Sequence, residues 1–224
     1  MILIGVPGCG KGTQSGFLAD NHKFVVISVG DILRNNKEKL VAGDGRMVGE
    51  IISAGSLLPD EVIVDLVSSE LEKVDRIRER DVLFDGVPRT IGQAQVIGEL
   101  VNSFGAKISH VLNFEVDHDI ITKRLLGRYE CSGCGRMYND FFSTTKIDGV
   151  CDVCGEKRFC RRSDDNEESL KKRLAEYNAK TLPLVDFYRE RSLLHGVDAS
   201  RSVDDVRSDI EVILSLVERN KEER

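Results

Sequence analysis

No stretch of this 224-residue chain approaches the roughly 20 consecutive apolar residues that a membrane-spanning helix needs, so no span is expected. A surplus of base is missing too: 32 Lys and Arg face 38 Asp and Glu, a formal charge of -6. Binding along a phosphate backbone needs the opposite balance, which argues against nucleic acid as the main partner. There is no internal repeat and no low-complexity tract apart from the charged end from Glu218 to Arg224, where fraying is expected. The chain opens directly on an apolar strand and a glycine-rich loop, which leaves no room for a signal peptide; a cytosolic location is expected. What is present is an ordinary composition: 41% hydrophobic residues can supply one α/β core carrying an insertion or two.

The first thirteen residues organise the rest. Met1 to Ile4 reads as a buried strand, and Gly5-Val6-Pro7-Gly8-Cys9-Gly10-Lys11-Gly12-Thr13 follows as a variant phosphate-binding loop. Its glycines let backbone N–H groups turn toward phosphate oxygens, a helix from about Thr13 to Asp20 offers its positive end, and Lys11 adds a point charge. Phe24 to Ser28 is a second strand, after which Asp31 is the expected N-cap of a helix and Arg34 a candidate phosphate grip. Gly43 and Gly45 interrupt the helical pattern, and Ser53 to Asp60 is a loop that opens the next helix at Pro59 and Asp60.

Asp81 to Asp85 is an apolar strand ending in an acid, and Gly86-Val87-Pro88-Arg89-Thr90 then turns into a helix. A carboxylate at a strand end beside the phosphate loop is where Mg²⁺ or its waters would be held, although alone it is often only a turn former. Gln93 either reads a base edge or faces solvent; from the sequence alone, solvent is the expectation. Ser109 to Phe114 is a fourth strand, and Asp117 to Leu126 a helix placing Arg124 and Arg128 one turn apart on a single face.

An insertion then runs from Tyr129 to about Arg161. Cys131-x2-Cys134 and Cys151-x2-Cys154 lie sixteen residues apart, spacing that fits a four-thiolate zinc site with no position left for a catalytic water, hence structural. Between the pairs, Met137, Tyr138, Phe141 and Phe142 suggest the core of a small hairpin too short to persist without a staple. Cys160 completes no pair. Beyond it, Asp165 with Glu168 resembles a capping box opening a long helix, from which Arg173 points back toward the phosphates. Leu193 to Val197 is a fifth strand, and Ser202 caps a last helix with an apolar face through Val206, Ile210 and Leu214. Five strands alternating with helices predict a doubly wound, five-stranded parallel sheet.

Four ordered stretches, GxPGxGKGT, SxGDxLR at Ser28 to Arg34, DGxPRT at Asp85 to Thr90 and RxDDNEExxxxRL at Arg162 to Leu174, resemble the nucleoside monophosphate kinases, and the insertion looks like the zinc-bearing lid of long-form adenylate kinases. That resemblance covers nearly the whole chain. It implies reversible phosphoryl transfer from MgATP to AMP, giving ADP, by a cytoplasmic monomer with no nucleic-acid or membrane partner. It also implies a core of residues 1–28, 58–127 and 163–224, an AMP-binding segment of 29–57 and a lid of 128–162. ATP would be held by Gly8, Cys9, Gly10, Lys11, Gly12 and Thr13, by Arg128, Met137 and Tyr138 of the lid, and by Arg201. On the AMP side fall Val29, Arg34, Ser56, Leu57, Leu58, Gly86, Val87, Pro88, Arg89, Gln93, Arg162 and Arg173, and Arg124, Arg162 and Arg173 match arginines that close over the phosphoryl group. Lys11, Asp85, Arg89, Arg124, Arg128, Arg162 and Arg173 would carry the catalysis. Val29 and Val87 stand where the family usually has Thr and Phe. Two other readings stay open: a kinase for a different nucleoside monophosphate, and a P-loop ATP switch whose zinc ribbon docks a partner.

Overall fold

The computed structural model describes residues 1–36, 47–53, 56–75 and 77–222. The breaks expected at Gly43 and Gly45 and the last two residues of the chain lie outside the described residues. Strands β1 (Ile2–Gly5), β2 (Val25–Ser28), β3 (Val82–Asp85), β4 (Val111–Glu115) and β8 (Leu194–Asp198) form one parallel sheet in the order β2-β3-β1-β4-β8. The apolar runs of the three inner strands β3, β1 and β4 are buried on both faces, as parallel strands require, whereas the edge strands β2 and β8 are only partly buried. Alternation within β1 shows how the two core layers arise: Ile2 and Ile4 pack with Ile27, Phe84 and Val111, whereas Leu3 packs with Leu83, Leu112 and Val197 on the opposite side. Helices α1 (Lys11–His22) and α9 (Val203–Glu222) close the second layer through Leu18, Val206 and Ile210. The first layer is covered by α4 (Asp60–Glu72), α5 (Ile91–Ser103) and α8 (Pro183–Arg189) through Ile63, Val67, Leu71, Ile97 and Leu184.

Register brings the chemistry to one edge. Ser28 lies beside Asp85, and Leu3 also pairs with Asp85, so the phosphate loop, the start of α2 (Val29–Asn35) and the Asp85 turn leave the same carboxyl ends of the sheet. The order reverses at β1, where ligands of open α/β sheets bind.

Helix starts depart from expectation in two places. Asp31 does not cap α2; it lies inside the first turn and accepts from Ser28 Oγ at 2.7 Å. The helix α7 (Glu167–Glu176) is capped by Asn166, whose side chain accepts from the Ser169 amide, and not by Asp165. Asp165 is instead drawn to an arginine. Between α6 (His118–Leu126) and α7, strands β5 (Arg128–Cys131), β6 (Met137–Asn139) and β7 (Phe159–Cys160) make a separate antiparallel sheet in the order β6-β5-β7. Arg128 therefore belongs to a strand, not to the face of α6 that carries Arg124. Among the described residues no helix is long and apolar enough to cross a membrane.

Candidate active site

The phosphate loop is shaped by residues that only glycine tolerates. Gly8 has φ of +83°, and a Cβ there would lie 2.9 Å from Leu125. Gly10 has φ of +102° and is the N-cap of α1, which no side chain caps, so the positive end of the helix is open to an anion, while the Thr13 amide donates to the Gly10 carbonyl at 3.0 Å. Cys9 is buried and fills the space beneath the loop against Phe114. Lys11 Nζ donates to the Gly5 carbonyl at 2.7 Å, to Val6 at 3.0 Å and to Cys9 Sγ at 3.3 Å, which holds its charge within the loop. Asp85 is buried, and its Oδ2 accepts from Ser15 Oγ of α1 at 3.2 Å. A carboxylate fixed beside Gly12 at the end of β3 fits a residue that orders the water shell of Mg²⁺.

Within α2, Arg34 donates to Asp31 at 2.5 Å. Arg89 is half-buried, and its Nε donates to the Gly86 carbonyl at 2.8 Å. Burial lowers its pKa, Asp85 and Asp164 pull it back up, and Arg34 pushes it down again. Gln93 does not face solvent. It is 2% exposed, with Oε1 accepting from the Arg89 amide at 2.7 Å and Nε2 donating to Asp60 Oδ1 at 2.8 Å. Val29, Leu58 and Val87 all enter the apolar core beside Leu33, Val48 and Ile63, while Ser56 and Leu57 are half-buried. The Val87–Pro88 peptide is cis.

The remaining arginines converge from three directions, each already engaged. Arg128 makes two bonds to Asp165, at 2.7 and 2.5 Å. Arg173 donates to Asp164 at 3.1 Å and lies 3.7 Å from Asp165. Arg162 lies 3.6 Å from Glu130 and 3.9 Å from Asp31, and its buried Nε has no hydrogen-bond partner among the described residues. Burial depresses the pKa of Arg162 and Arg173, and Arg128 depresses both further, although each guanidinium stays charged. An unpaired N–H inside a field of mutually repelling cations is a site made for a polyanion. Arg124 donates to the Ala199 carbonyl at 2.6 Å and approaches Arg201 O, which ties α6 to the tail. Arg201 itself pairs with Asp209 at 2.7 Å.

In the insertion the four cysteine sulfurs lie within 4.8 Å of one another. The Cys131–Cys154 and Cys134–Cys151 separations are 3.5 and 3.6 Å, close to the ~3.8 Å edge of a tetrahedron with Zn–S bonds of about 2.3 Å. The Tyr138 hydroxyl holds Cys151 down to about 6, whereas crowding by the Cys134 and Cys131 sulfurs takes Cys154 up to about 12 despite the Glu156 amide facing it. Four sulfurs at this spacing could hold one metal ion, and the donor set fits zinc. Tyr138 stacks on Tyr129 at 5.6 Å and meets Phe159 edge-on, so its side chain belongs to the insertion's core. Phe141 and Phe142, expected in that core, are 62% and 53% exposed. Met137 lies under Arg162, with its sulfur 3.9 Å from Nη2.

Comparison with known proteins settles the kinship. A sequence model described as adenylate kinase matches residues 3–193. The chain belongs to the adenylate kinase family. An adenylate kinase of Rhizorhabdus wittichii is 41% identical over 216 residues, covering 96% of this chain and 98% of the relative. Those of Novosphingobium aromaticivorans and Caldicellulosiruptor bescii are each 39% identical, over 215 and 210 residues, covering 96% and 94% of this chain and 98% and 96% of the relatives. The sequence reading missed Asp60, Asp164, Asp165 and Thr181 as members of this adenylate kinase site. Only the adjacent pair Asp164-Asp165, beside Arg162, carried a signal for them.

Proposed function

We propose that this chain transfers a phosphoryl group reversibly from MgATP to AMP, giving two ADP, as a cytoplasmic monomer. The observation that carries the reading is the convergence of Arg34, Arg89, Arg128, Arg162 and Arg173 on the edge of the sheet that holds the phosphate loop. Residues 1–28, 58–127 and 163–224 would serve as the core, 29–57 as the AMP arm and 128–162 as the lid. A transferring phosphoryl asks little covalent chemistry of a protein, so positioning and converging positive charge supply the rate. Lys11 and the amides of Gly8 to Thr13 hold the ATP phosphates, Arg34 and Arg89 hold the AMP phosphate, and Arg128, Arg162 and Arg173 follow the charge as it moves. Arg124, bonded to the Ala199 carbonyl, keeps Arg201 and the tail beside the ATP side. Met137 and the backbone at Tyr138 would face the adenine of ATP, and Ser56, Leu57, Val29, Val87 and Gln93 the AMP. Asp85 would hold the water shell of the Mg²⁺ that accompanies ATP, and the ion would supply positive charge to the phosphates. Zinc on Cys131, Cys134, Cys151 and Cys154 would hold the lid as a rigid body able to exclude water.

Coupled detection of ADP tests this: formation should require both ATP and AMP. Slow hydrolysis of ATP independent of AMP would instead indicate a switch. Faster use of CMP or UMP than of AMP would point to a different acceptor, a reading that Val29 and Val87 keep in view.

A further inference from the structure

The main chain of Arg89 is held by side chains on both its amide and its carbonyl. Its amide donates to Gln93 Oε1 at 2.7 Å, its carbonyl accepts from Thr181 Oγ1 at 2.9 Å, and its side-chain Nε donates to Gly86 O at 2.8 Å. Gln93 is anchored in turn by Asp60, which also accepts from Thr90 Oγ1 at 2.7 Å. Asp60 is the first residue of α4, immediately after the Ser56–Pro59 stretch. Thr181 is buried and ends a π-helical turn, Tyr177–Thr181, closed by Leu182 N donating to Tyr177 O at 2.8 Å. Such a turn inserts one extra residue between α7 and α8 and rotates the helix beyond it, which aims the Thr181 hydroxyl at α5's entry. A wide turn costs helical regularity and persists where a specific contact rewards it. Here the contact is with the backbone of an arginine in the site.

We propose that Thr181 and Asp60 are positioning residues for Arg89. They act from opposite sides, Thr181 on the carbonyl and Asp60 through Gln93 on the amide, so the guanidinium leaves a backbone with almost no freedom. Because α7 also carries Arg173, the Thr181 contact links the two arginines mechanically. The proposal rests on Arg89 gripping the AMP phosphate. It adds that the grip depends on a hydroxyl which touches no substrate.

The test uses the full-length protein with four single variants and one double. Thr181→Val keeps the branched volume and removes the hydroxyl. It should raise the KM for AMP about five- to tenfold, with the KM for ATP unchanged within about twofold, the scale of one lost neutral hydrogen bond. Thr181→Ser should return the KM for AMP to near wild type, and Asp60→Ala should show the same split between the two substrates. In an Arg89→Ala background, Thr181→Val should add nothing to the loss of AMP affinity read by titration calorimetry. An unchanged KM for AMP in Thr181→Val, an equal rise for ATP, failure of the serine to restore it, or fully additive losses overturns the positioning role. If Arg89→Ala itself binds AMP normally, the underlying assignment of Arg89 fails instead, a distinct result.

Discussion

Replacing Asp165 by Asn measures how much the site's arginines depend on their carboxylates. The Asp165 side chain is 2% exposed and Arg128 19%, and their two bonds span 2.7 and 2.5 Å, with Arg173 a further 3.7 Å away. Asparagine keeps the shape but removes the charge and turns one acceptor into a donor facing a guanidinium N–H. Hydrogen bonds to charged groups contribute about 1.5 to 3 kcal/mol, and breaking a buried pair from one side costs about 3 to 5 kcal/mol. Arg128 keeps some access to water, so about 2 to 4 kcal/mol is expected here. For a chain of this size each kcal/mol moves Tm by about 2 to 4 °C, which places the shift at about 4 to 16 °C. Calorimetry supplies the assay, and Asp140→Asn supplies the contrast. Arg161 also makes two bonds to Asp140, both at 2.9 Å, yet those side chains are 53% and 41% exposed. That pair should contribute no more than about 1 kcal/mol and should weaken with salt. Equal shifts for the two variants, or a shift below about 1 °C for Asp165→Asn, would refute the argument from burial.

Lys11→Ala should remain folded and lose about 3 to 5 kcal/mol of transition-state stabilisation, near a thousandfold in kcat/KM; retention of a tenth of the wild-type rate removes Lys11 from its assigned role. Metal analysis should find one zinc per chain, and chelation or Cys151→Ser should lower Tm while the parallel sheet persists by circular dichroism; zinc-free protein of unchanged stability contradicts this. The His110 Nδ1 and His195 Nε2 atoms lie 3.1 Å apart, and burial lowers the pKa of His195. A depressed histidine favours the folded state above its unfolded value of about 6.5, and that contribution is lost as pH falls through the folded pKa; His195→Asn should flatten this acid limb of a Tm-versus-pH curve. Val29→Thr should lower the KM for AMP more than it changes kcat, by about tenfold at most, and a larger effect on kcat would deny a contact with the base.

What was legible in the sequence was local. The phosphate loop is nine consecutive residues, Asp85 ends a strand whose apolar run is plain, and the paired cysteines carry their geometry in their spacing. The parallel sheet followed from alternation of elements. Gln93 was not legible, because its burial depends on Asp60, thirty-three residues earlier, and a lone polar residue on a helix carries no sign of its partner. The capping box at Asp165 failed for a related reason. Asn166 and Asp165 compete for the same helix start, and a long-range ion pair with Arg128 decides between them. Phe141 and Phe142 promised a core that Tyr129, Tyr138 and Phe159 already fill around the cysteines.

A chain of net charge -6 that concentrates arginines around a polyphosphate site has to solve two problems at once. Converging guanidiniums repel: Arg128 destabilises the charge on Arg162 and Arg173, and Arg34 that on Arg89 and Arg162. Asp31, Glu130, Asp164 and Asp165 offset that repulsion within the fold, so the cluster can exist before any phosphate arrives. The same carboxylates set a threshold for entry. An anion that meets one guanidinium gains too little to displace a bidentate partner such as Asp165, whereas a nucleotide polyphosphate offers many oxygens to several arginines together. Exchange of partners then becomes cooperative, because Arg128 belongs to the inserted sheet, Arg173 to α7 and Arg34 to α2. Under the proposed function, binding that satisfies all three would draw those elements together, and the differential contact between carboxylate and phosphate partners would supply the free energy for closure.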